Sequence, residues 1–385
     1  MDRLRQIAQQ RAISRRDFLR SAAMAGTASR LLGFSPLRAA TLSLEVKMVV
    51  VTFGGGARDE ETFAPEGQEN IPHLMNELIP QATFFTQVVN RGILGHYVAT
   101  ASLATGVYER FDNFADVAPK DPTVFEYFRK DLNRPVNDAW VIAPSNGFNR
   151  IGQSDGSLIA PGMGAQVVLP KHLLASALGS DSAMSPGLEF LLQDNYENLL
   201  FAQPAVQSNL QAAKLTELLH LSVDDFARHA KTLTSADELS VYVMRHLMQR
   251  FAPSLLWITL HDMDIAHTGA YSLYLEGIRR TDRLCAEIWQ MIESDPEYKG
   301  RTTMLILPDF GRDSDFSASG NGFQHHRTGD PLSRTTWMLA MGPHVRQNIT
   351  VERPLDSLDL VPTLGAIGKF ATRLAHGKPI LEVLA

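Results

Sequence analysis

Apolar positions along the chain recur with two different periods. Short runs rich in β-formers occur at Val46 to Phe53, Ala82 to Val89, Ala139 to Ala143, Leu255 to Leu260, Thr302 to Leu307 and Thr335 to Gly342. Each has the length and flanks of a buried strand. Between the fourth and fifth runs, Tyr271, Tyr274, Leu275, Ile278, Cys285, Ile288, Trp289 and Ile292 recur at three- and four-residue steps, while Glu276, Arg279, Arg280 and Glu287 fall mostly elsewhere on the wheel. That spacing predicts an amphipathic helix. Further helices are expected over Tyr97 to Ala104, stopped by Thr105-Gly106, over Pro122 to Lys130, over Ser240 to Phe251, and from Asp356 onward. Strand, helix, strand implies a right-handed crossover between parallel strands. The pattern therefore predicts an α/β fold with a mostly parallel central sheet flanked by helices on both faces.

One stretch breaks this rhythm. From Gly152 to Ser235 the chain is rich in Gly, Ser, Ala and Gln and poor in β-runs, and residues 152–235 read as a largely helical insertion or cap. Amphipathic helices are expected there at Gln207 to His220 and Val223 to Thr232, with His172, His220 and His229 on the surface or in packing rather than at a site. Substrate specificity, if the chain has a substrate, is expected to lie in this insertion.

Composition narrows the class. The chain has 385 residues, 44% hydrophobic and 20% charged, enough to bury one large core and outside the range of disordered chains. A net charge of −6 and a pI near 6.1 argue against a nucleic-acid partner, which normally requires a basic excess. The single cysteine, Cys285, lies on the apolar stripe of the central helix, so an intrachain disulfide and a Cys-rich zinc site are both excluded. Residues 1–40 read as a targeting segment. Ser14-Arg15-Arg16-Asp17-Phe18-Leu19-Arg20 matches the twin-arginine export pattern, Ser21 to Phe34 supplies the short apolar region after it, and Leu37-Arg38-Ala39-Ala40 offers a cleavage site. Export by the twin-arginine translocase to the periplasm or the exterior is the expectation. No later run is apolar for long enough to span a bilayer, which leaves residues 41–385 as the main domain.

Candidate chemistry gathers where strands should end. Leu255 to Leu260 runs into His261-Asp262-Met263-Asp264-Ile265-Ala266-His267, and Thr302 to Leu307 runs into Pro308-Asp309-Phe310-Gly311-Arg312-Asp313, with His325-His326-Arg327 downstream. In an open α/β sheet such strand ends form the ligand rim. Asp262, Asp264, His267, Asp309, His325 and His326 are accordingly the candidate metal ligands. Mixed Asp and His donors suit zinc, with calcium, magnesium and manganese as the alternatives. The competing reading is a loop whose aspartates cap the next helix and whose histidines only hydrogen-bond. Gly54-Gly55-Gly56 after the first strand could cradle an anion or make a tight turn, so Gly55 and Gly56 are candidate substrate-binding positions. His96 follows Gly92 and Gly95 at a helix N-terminus, where the dipole favours the neutral imidazole that ligates metal or accepts a proton. Arg58, Arg312 and Arg327 lie close to these motifs, and guanidinium forks match phosphate or sulfate oxygens.

With these residues in view, the chain resembles the alkaline phosphatase-like superfamily, which includes sulfatases, nucleotide pyrophosphatase/phosphodiesterases and cofactor-independent phosphoglycerate mutases. Ala101-Ser102-Leu103-Ala104-Thr105-Gly106-Val107-Tyr108 is similar to that family's helix after the nucleophile. Asp262 to Gly269 resembles its Asp-x-x-Gly-His metal motif, Pro308 to Arg312 its Asp-His-Gly motif, Gly322 to His326 its late histidine ligand, and Asp356 to Leu364 its Asp-(Leu/Ile)-x-Pro-Thr signature. The resemblance implies one metal site from Asp262 or Asp264, His267, and His325 or His326, with Asp309 alone left of a second. It also exposes departures: Gly54 or Gly55 stands for the first-strand Asp, His96 for the nucleophile, and Phe310 for a His. Two expectations follow. One is an exported metal-dependent hydrolase or transferase acting on a small-molecule phosphate or sulfate ester, with His96 as nucleophile or base and Arg58 or Arg312 on the oxyanion. The other is a non-catalytic module that binds metal, an anion or a protein.

Overall fold

The computed structural model describes residues 46–178, 187, 191–192 and 220–384, apart from 116, 160 and 319. The twin-arginine segment and all but the last residue of the helix expected at Gln207 to His220 lie outside the described residues. Among the described residues, nine strands form one sheet: β1 (Lys47–Phe53), β2 (Thr83–Val89), β3 (Ala139–Ile142), β4 (Gln166–Val168), β5 (Leu255–Leu260), β6 (Thr302–Leu307), β7 (Thr335–Met341), β8 (Ile349–Val351) and β9 (Leu355–Asp356). Their order is β4-β3-β5-β1-β6-β7-β2-β8, with β9 also on β2. Every pairing is parallel except the two made by β7. Because β7 is flanked by β6 and β2, the strand reversals cancel, and β2 ends on the same rim as β1, β5 and β6.

Helices cover both faces, as expected. On one side α1 (His96–Thr105), α2 (Val124–Leu132) and the late helix Leu360–Gly368 pack on the layer of Met48, Val50, Trp257 and Leu305. On the other, Ala236–Phe251 and Tyr271–Ser294 pack on Val49, Val51, Leu256, Ile258 and Ile306. A strand covered on both faces has no solvent side on which to alternate, so β1, β5 and β6 are buried at every position. Cys285 sits in the second of these layers, fully buried and far from any thiol chemistry.

Local signals explain where the elements start and stop. Thr123 and Glu126 form a capping box at the start of α2, which satisfies two otherwise orphaned backbone N–H groups. The Ser235 hydroxyl accepts from the Glu238 amide and opens the helix Ala236–Phe251 four residues before the hydrophobic pattern predicts. Gly106 takes a φ of 72° and ends α1, as a glycine after a helix commonly does. Within the stretch assigned to the insertion, the three residues of β4 join the sheet beside β3. A strand that short, at an edge, carries too little periodicity to be read from sequence.

Candidate metal centre

Three strand ends and one helix start build the site. The turn Asp262–Thr268 follows β5, Asp309 follows β6, Gly54–Gly56 follows β1, and α1 begins at His96 a few residues beyond β2. Asn113 fixes that helix start, its Oδ1 accepting from the Tyr97 amide at 2.9 Å. A Cβ on Gly95 would lie 2.5 Å from Asn113, so glycine is needed for this close approach. At the end of β5, the Asp237 carboxylate accepts from the His261 and Asp262 amides at 2.8 and 2.9 Å and holds the turn in place.

The side chains of His96, Asp264, His267 and His326 converge, each offering a donor atom within 4.8 Å of the others. His96 Nε2 lies 2.9 Å and His267 Nε2 3.2 Å from Asp264 Oδ1, and the Nε2 atoms of His267 and His326 are 2.9 Å apart. Four donors at tetrahedral zinc, with bonds of about 2.0–2.1 Å, stand roughly 3.3 Å from one another, and these three separations fall within a few tenths of an ångström of that value. One carboxylate among three imidazoles also suits zinc better than calcium or magnesium, which prefer all-oxygen shells. The cluster has a floor and a mouth: His96 and Asp264 are buried, whereas the His267 side chain is 36% exposed.

Electrostatics reverse one expectation. The dipole at the start of α1 favours neutral His96, and burial also disfavours its charge, but Asp309 and Asp264 outweigh both and lift its pKa to about 9. Its Nδ1 lies 2.6 Å from Asp309 Oδ2. In the metal-free protein it is therefore an imidazolium between two carboxylates. Asp264 responds in kind: burial opposes its ionisation, and the charge of His96 with the hydrogen bonds of His267 and His96 holds it well below the usual carboxylate range. Two neighbours are kept neutral. Burial drives His261 down to about 3, against the pull of Asp264 and helped by His96, and burial with the positive His96 and Arg312 drives His326 down to about 2.

The remaining candidates fall elsewhere. Asp262 turns away from the cluster toward Asp237 and Arg280, 3.3 Å from the guanidinium. Burial and its neighbour's charge raise Asp237 well above normal. His325 is absent from the converging group, and its backbone N–H and carbonyl are engaged by Gly322 and Asp313. Gly55 and Gly56 are buried packing positions with φ of +91° and +67°; added Cβ atoms would meet the Asp264 amide at 2.8 Å and the Phe310 carbonyl at 2.9 Å. Positive φ and close backbone approach are what the tight-turn alternative for the glycine run requires.

The three arginines are likewise tied to partners within the chain. Arg58 is buried against Glu61 and also pairs with Asp315 at 2.6 Å. Arg312 has no exposed surface; it donates to the Gly56 and Phe323 carbonyls at 3.1 and 2.9 Å and to Asp264 at 3.2 Å. Arg327 is 53% exposed and pairs with Asp313 at 2.9 Å. Glu61 lies three residues from Arg58, whereas Asp315 and Asp264 lie far along the chain from the arginines they meet, so sequence gives no sign of those two pairs.

Two further residues shape the site. The Phe310 ring stacks on His96 with centroids 4.5 Å apart, and His261 packs edge-on against the same imidazole at 4.9 Å. In the sequence Phe310 stands out only as a departure from a motif, and His261 only as the first residue of a turn. Nothing in their local spacing marks them as walls of a site.

Comparison with known proteins gives the fold. No family model and no curated protein sequence matches the chain. Solved structures do. A phosphonate monoester hydrolase from Silicibacter pomeroyi is similar at a TM-score of 0.54 and 12% identity, over 88% of this chain and 76% of that one. The alkaline phosphatase PafA is similar at 0.52 and 11%, over 89% and 99%. The PsFucS1 sulfatase from Pseudoalteromonas sp. is similar at 0.51 and 10%, over 97% and 76%. With its nine-stranded, mostly parallel sheet, its helices on both faces and these neighbours, the chain has the α/β fold of the alkaline phosphatase-like proteins and is divergent from them in sequence.

Proposed function

We propose that this chain is an exported, metal-dependent hydrolase or transferase acting on a small phosphate or sulfate ester, with a single divalent metal, zinc in preference to others. One observation carries the reading: Asp264, His267 and His326 converge at the carboxyl ends of the strands, with His267 at an exposed mouth. Ligands bind at this rim in open α/β folds, and the similar solved structures act on phosphonate, phosphate or sulfate groups by their titles.

When bound, such an ion would polarise the ester oxygen and make water nucleophilic near neutral pH. The chain's own groups do the rest. Arg312 and the Gly55 turn fix Asp264 from behind. Burial keeps His326 neutral, the state in which its Nε2 can donate a lone pair. Asp309 and Asp264 are balanced in the metal-free site by the positive His96 and Arg312. An ion held by Asp264, His267 and His326 would add positive charge to the rim, which would favour an anionic ester. Arg327, directly after His326 and half-exposed, is our candidate for the ester oxyanion. Export rests on the Arg15-Arg16 motif, and among the described residues no helix is long and apolar enough to cross a membrane.

A specific observation favours a second reading. Arg58 and Arg312 are locked in internal ion pairs, and His96 is 2% exposed beneath the cluster, which suits a metal-binding module without turnover. Metal analysis of the purified protein, with assays on phosphomonoester, phosphodiester, phosphonate monoester and sulfate ester substrates, separates the two. Bound zinc and turnover abolished by chelation supports the enzyme. Bound zinc with no turnover on any ester leaves the binding module, and a protein that takes up no metal overturns both.

A further inference from the structure

The surroundings of His96 carry an assignment beyond that reading. Its Nδ1 lies 2.6 Å from Asp309 Oδ2, and the other oxygen of that carboxylate accepts the Phe310 amide at 3.1 Å. Asp309 is 1% exposed, and the Asn90 side chain donates to its carbonyl at 3.2 Å. Both carboxylate oxygens are thus engaged, one by the backbone and one by the imidazole. The ring is clamped by Phe310 on its face and by the edges of His261 and His326 at centroid distances of 4.9 and 4.7 Å. Its far nitrogen behaves differently. Nε2 is buried and faces Asp264 Oδ1 at 2.9 Å, an ion-pair contact that lacks the alignment of a full hydrogen bond. That atom points to where the donors of Asp264, His267 and His326 meet.

A carboxylate on one imidazole nitrogen, with the other nitrogen aimed at a cluster of donors, is the arrangement that orients a metal-bound histidine once that second nitrogen exchanges its proton for the ion. The carboxylate holds the proton on Nδ1, fixes the ring and makes Nε2 the more basic donor. Resting on the reading of this cluster as a metal centre, we propose that His96 is its fourth ligand, at the floor opposite the exposed His267, and that Asp309 is a positioning residue for His96 rather than a ligand. Phe310 then fills the space beside Asp309 with an aromatic face that offers no donor. Among the described residues this is the one group of three or more such donors that converges, and the proposal assigns one metal ion to it. Substrate would approach from the His267 side, away from His96.

The test uses the full purified protein, stripped of metal and titrated with zinc against a chromophoric chelator and with cobalt(II) as a spectroscopic probe. The wild type should bind one ion per chain and show the intense visible bands of four-coordinate cobalt. His96→Ala should alter those bands and weaken zinc affinity by about 100-fold or more. Asp309→Asn should keep the stoichiometry of one and weaken affinity about 10–100-fold, the range for loss of an outer-shell partner. Because either variant could be impaired in folding, His96→Gly is titrated with and without added imidazole; return of the wild-type cobalt bands on imidazole addition supports the fourth-ligand role. Two ions per wild-type chain, with one lost in Asp309→Asn, would restore Asp309 as a ligand and overturn the proposal. So would cobalt bands unchanged in His96→Ala. A wild type that binds neither ion instead removes the metal centre itself, and the assignment with it.

Discussion

Replacing Arg312 by Met asks whether this arginine holds substrate or holds the protein together. Its side chain has no exposed surface, and its three hydrogen bonds go to the Gly56 carbonyl, the Phe323 carbonyl and Asp264 at 3.1, 2.9 and 3.2 Å. Methionine fills much of the volume but donates nothing. Two internal carbonyls then lose a charged donor, at about 1–3 kcal/mol for each group left unsatisfied, and Asp264 loses one of its buried counter-charges. Breaking a buried ion pair on one side costs about 3–5 kcal/mol. His96 remains beside Asp264, so we place the loss near the lower end, about 3 kcal/mol. Against a total stability of about 5–15 kcal/mol that is a large fraction. For a unit as long as Val46–Ala385 it corresponds to a fall in melting temperature of roughly 5 °C.

Urea unfolding of the metal-free wild type and variant, followed by tryptophan fluorescence and circular dichroism, measures this directly. Arg312→Lys should recover part of the loss, since an ammonium keeps the charge but cannot reach three acceptors arranged around a planar fork. Zinc affinity should fall in both variants, because Asp264 is no longer held from behind. An Arg312→Met protein within about 1 kcal/mol of wild type in stability, with unchanged zinc affinity and turnover alone abolished, would falsify the structural assignment and return Arg312 to the oxyanion.

Two further outcomes are expected. Stability of the metal-free protein should peak at about pH 6–7. The folded pKa of His96 is raised from 6.5 to about 9, so its contribution of about 3 kcal/mol is fully present below pH 6.5 and is lost as pH rises through about 9. The folded pKa of His261 is depressed to about 3, so the unfolded chain takes up a proton first and stability falls from pH 6.5 toward 3. His96→Gln should flatten the alkaline limb and leave the acid limb, and an alkaline limb that persists in this variant refutes the linkage to His96. Gly55→Ala places a side chain at a φ of +91° and 2.8 Å from the Asp264 amide. It should lower stability by about 1–3 kcal/mol and weaken zinc binding by shifting Asp264, whereas wild-type values for both would show that the turn has room to spare.

The scaffold and its rim follow from the sequence alone. Runs such as Leu255 to Leu260 and Thr302 to Leu307 are strands because their hydrophobic pattern is local, and the helix between them follows from a 3.6-residue period over Tyr271–Ser294. A parallel crossover then forces Asp264, His267 and Asp309 to one edge, so their proximity is legible without coordinates. The choice between near neighbours is not. His325 is in extended backbone, where successive side chains point to opposite sides, and only the packing of the loop on Asp313 and Gly322 decides that His326 faces inward. Asp262 and Asp264 lie two residues apart in a turn of three residues per revolution, so one faces the cluster and the other Arg280. The fate of Arg312, the pairing of Arg58 with Asp315, and the capture of His96 between Asp309 and Asp264 depend on charges that meet only when distant segments pack together. Sequence periodicity reports which way an element faces, but burial and long-range charge pairing determine whether a polar group on that face meets solvent, substrate or another residue of the chain.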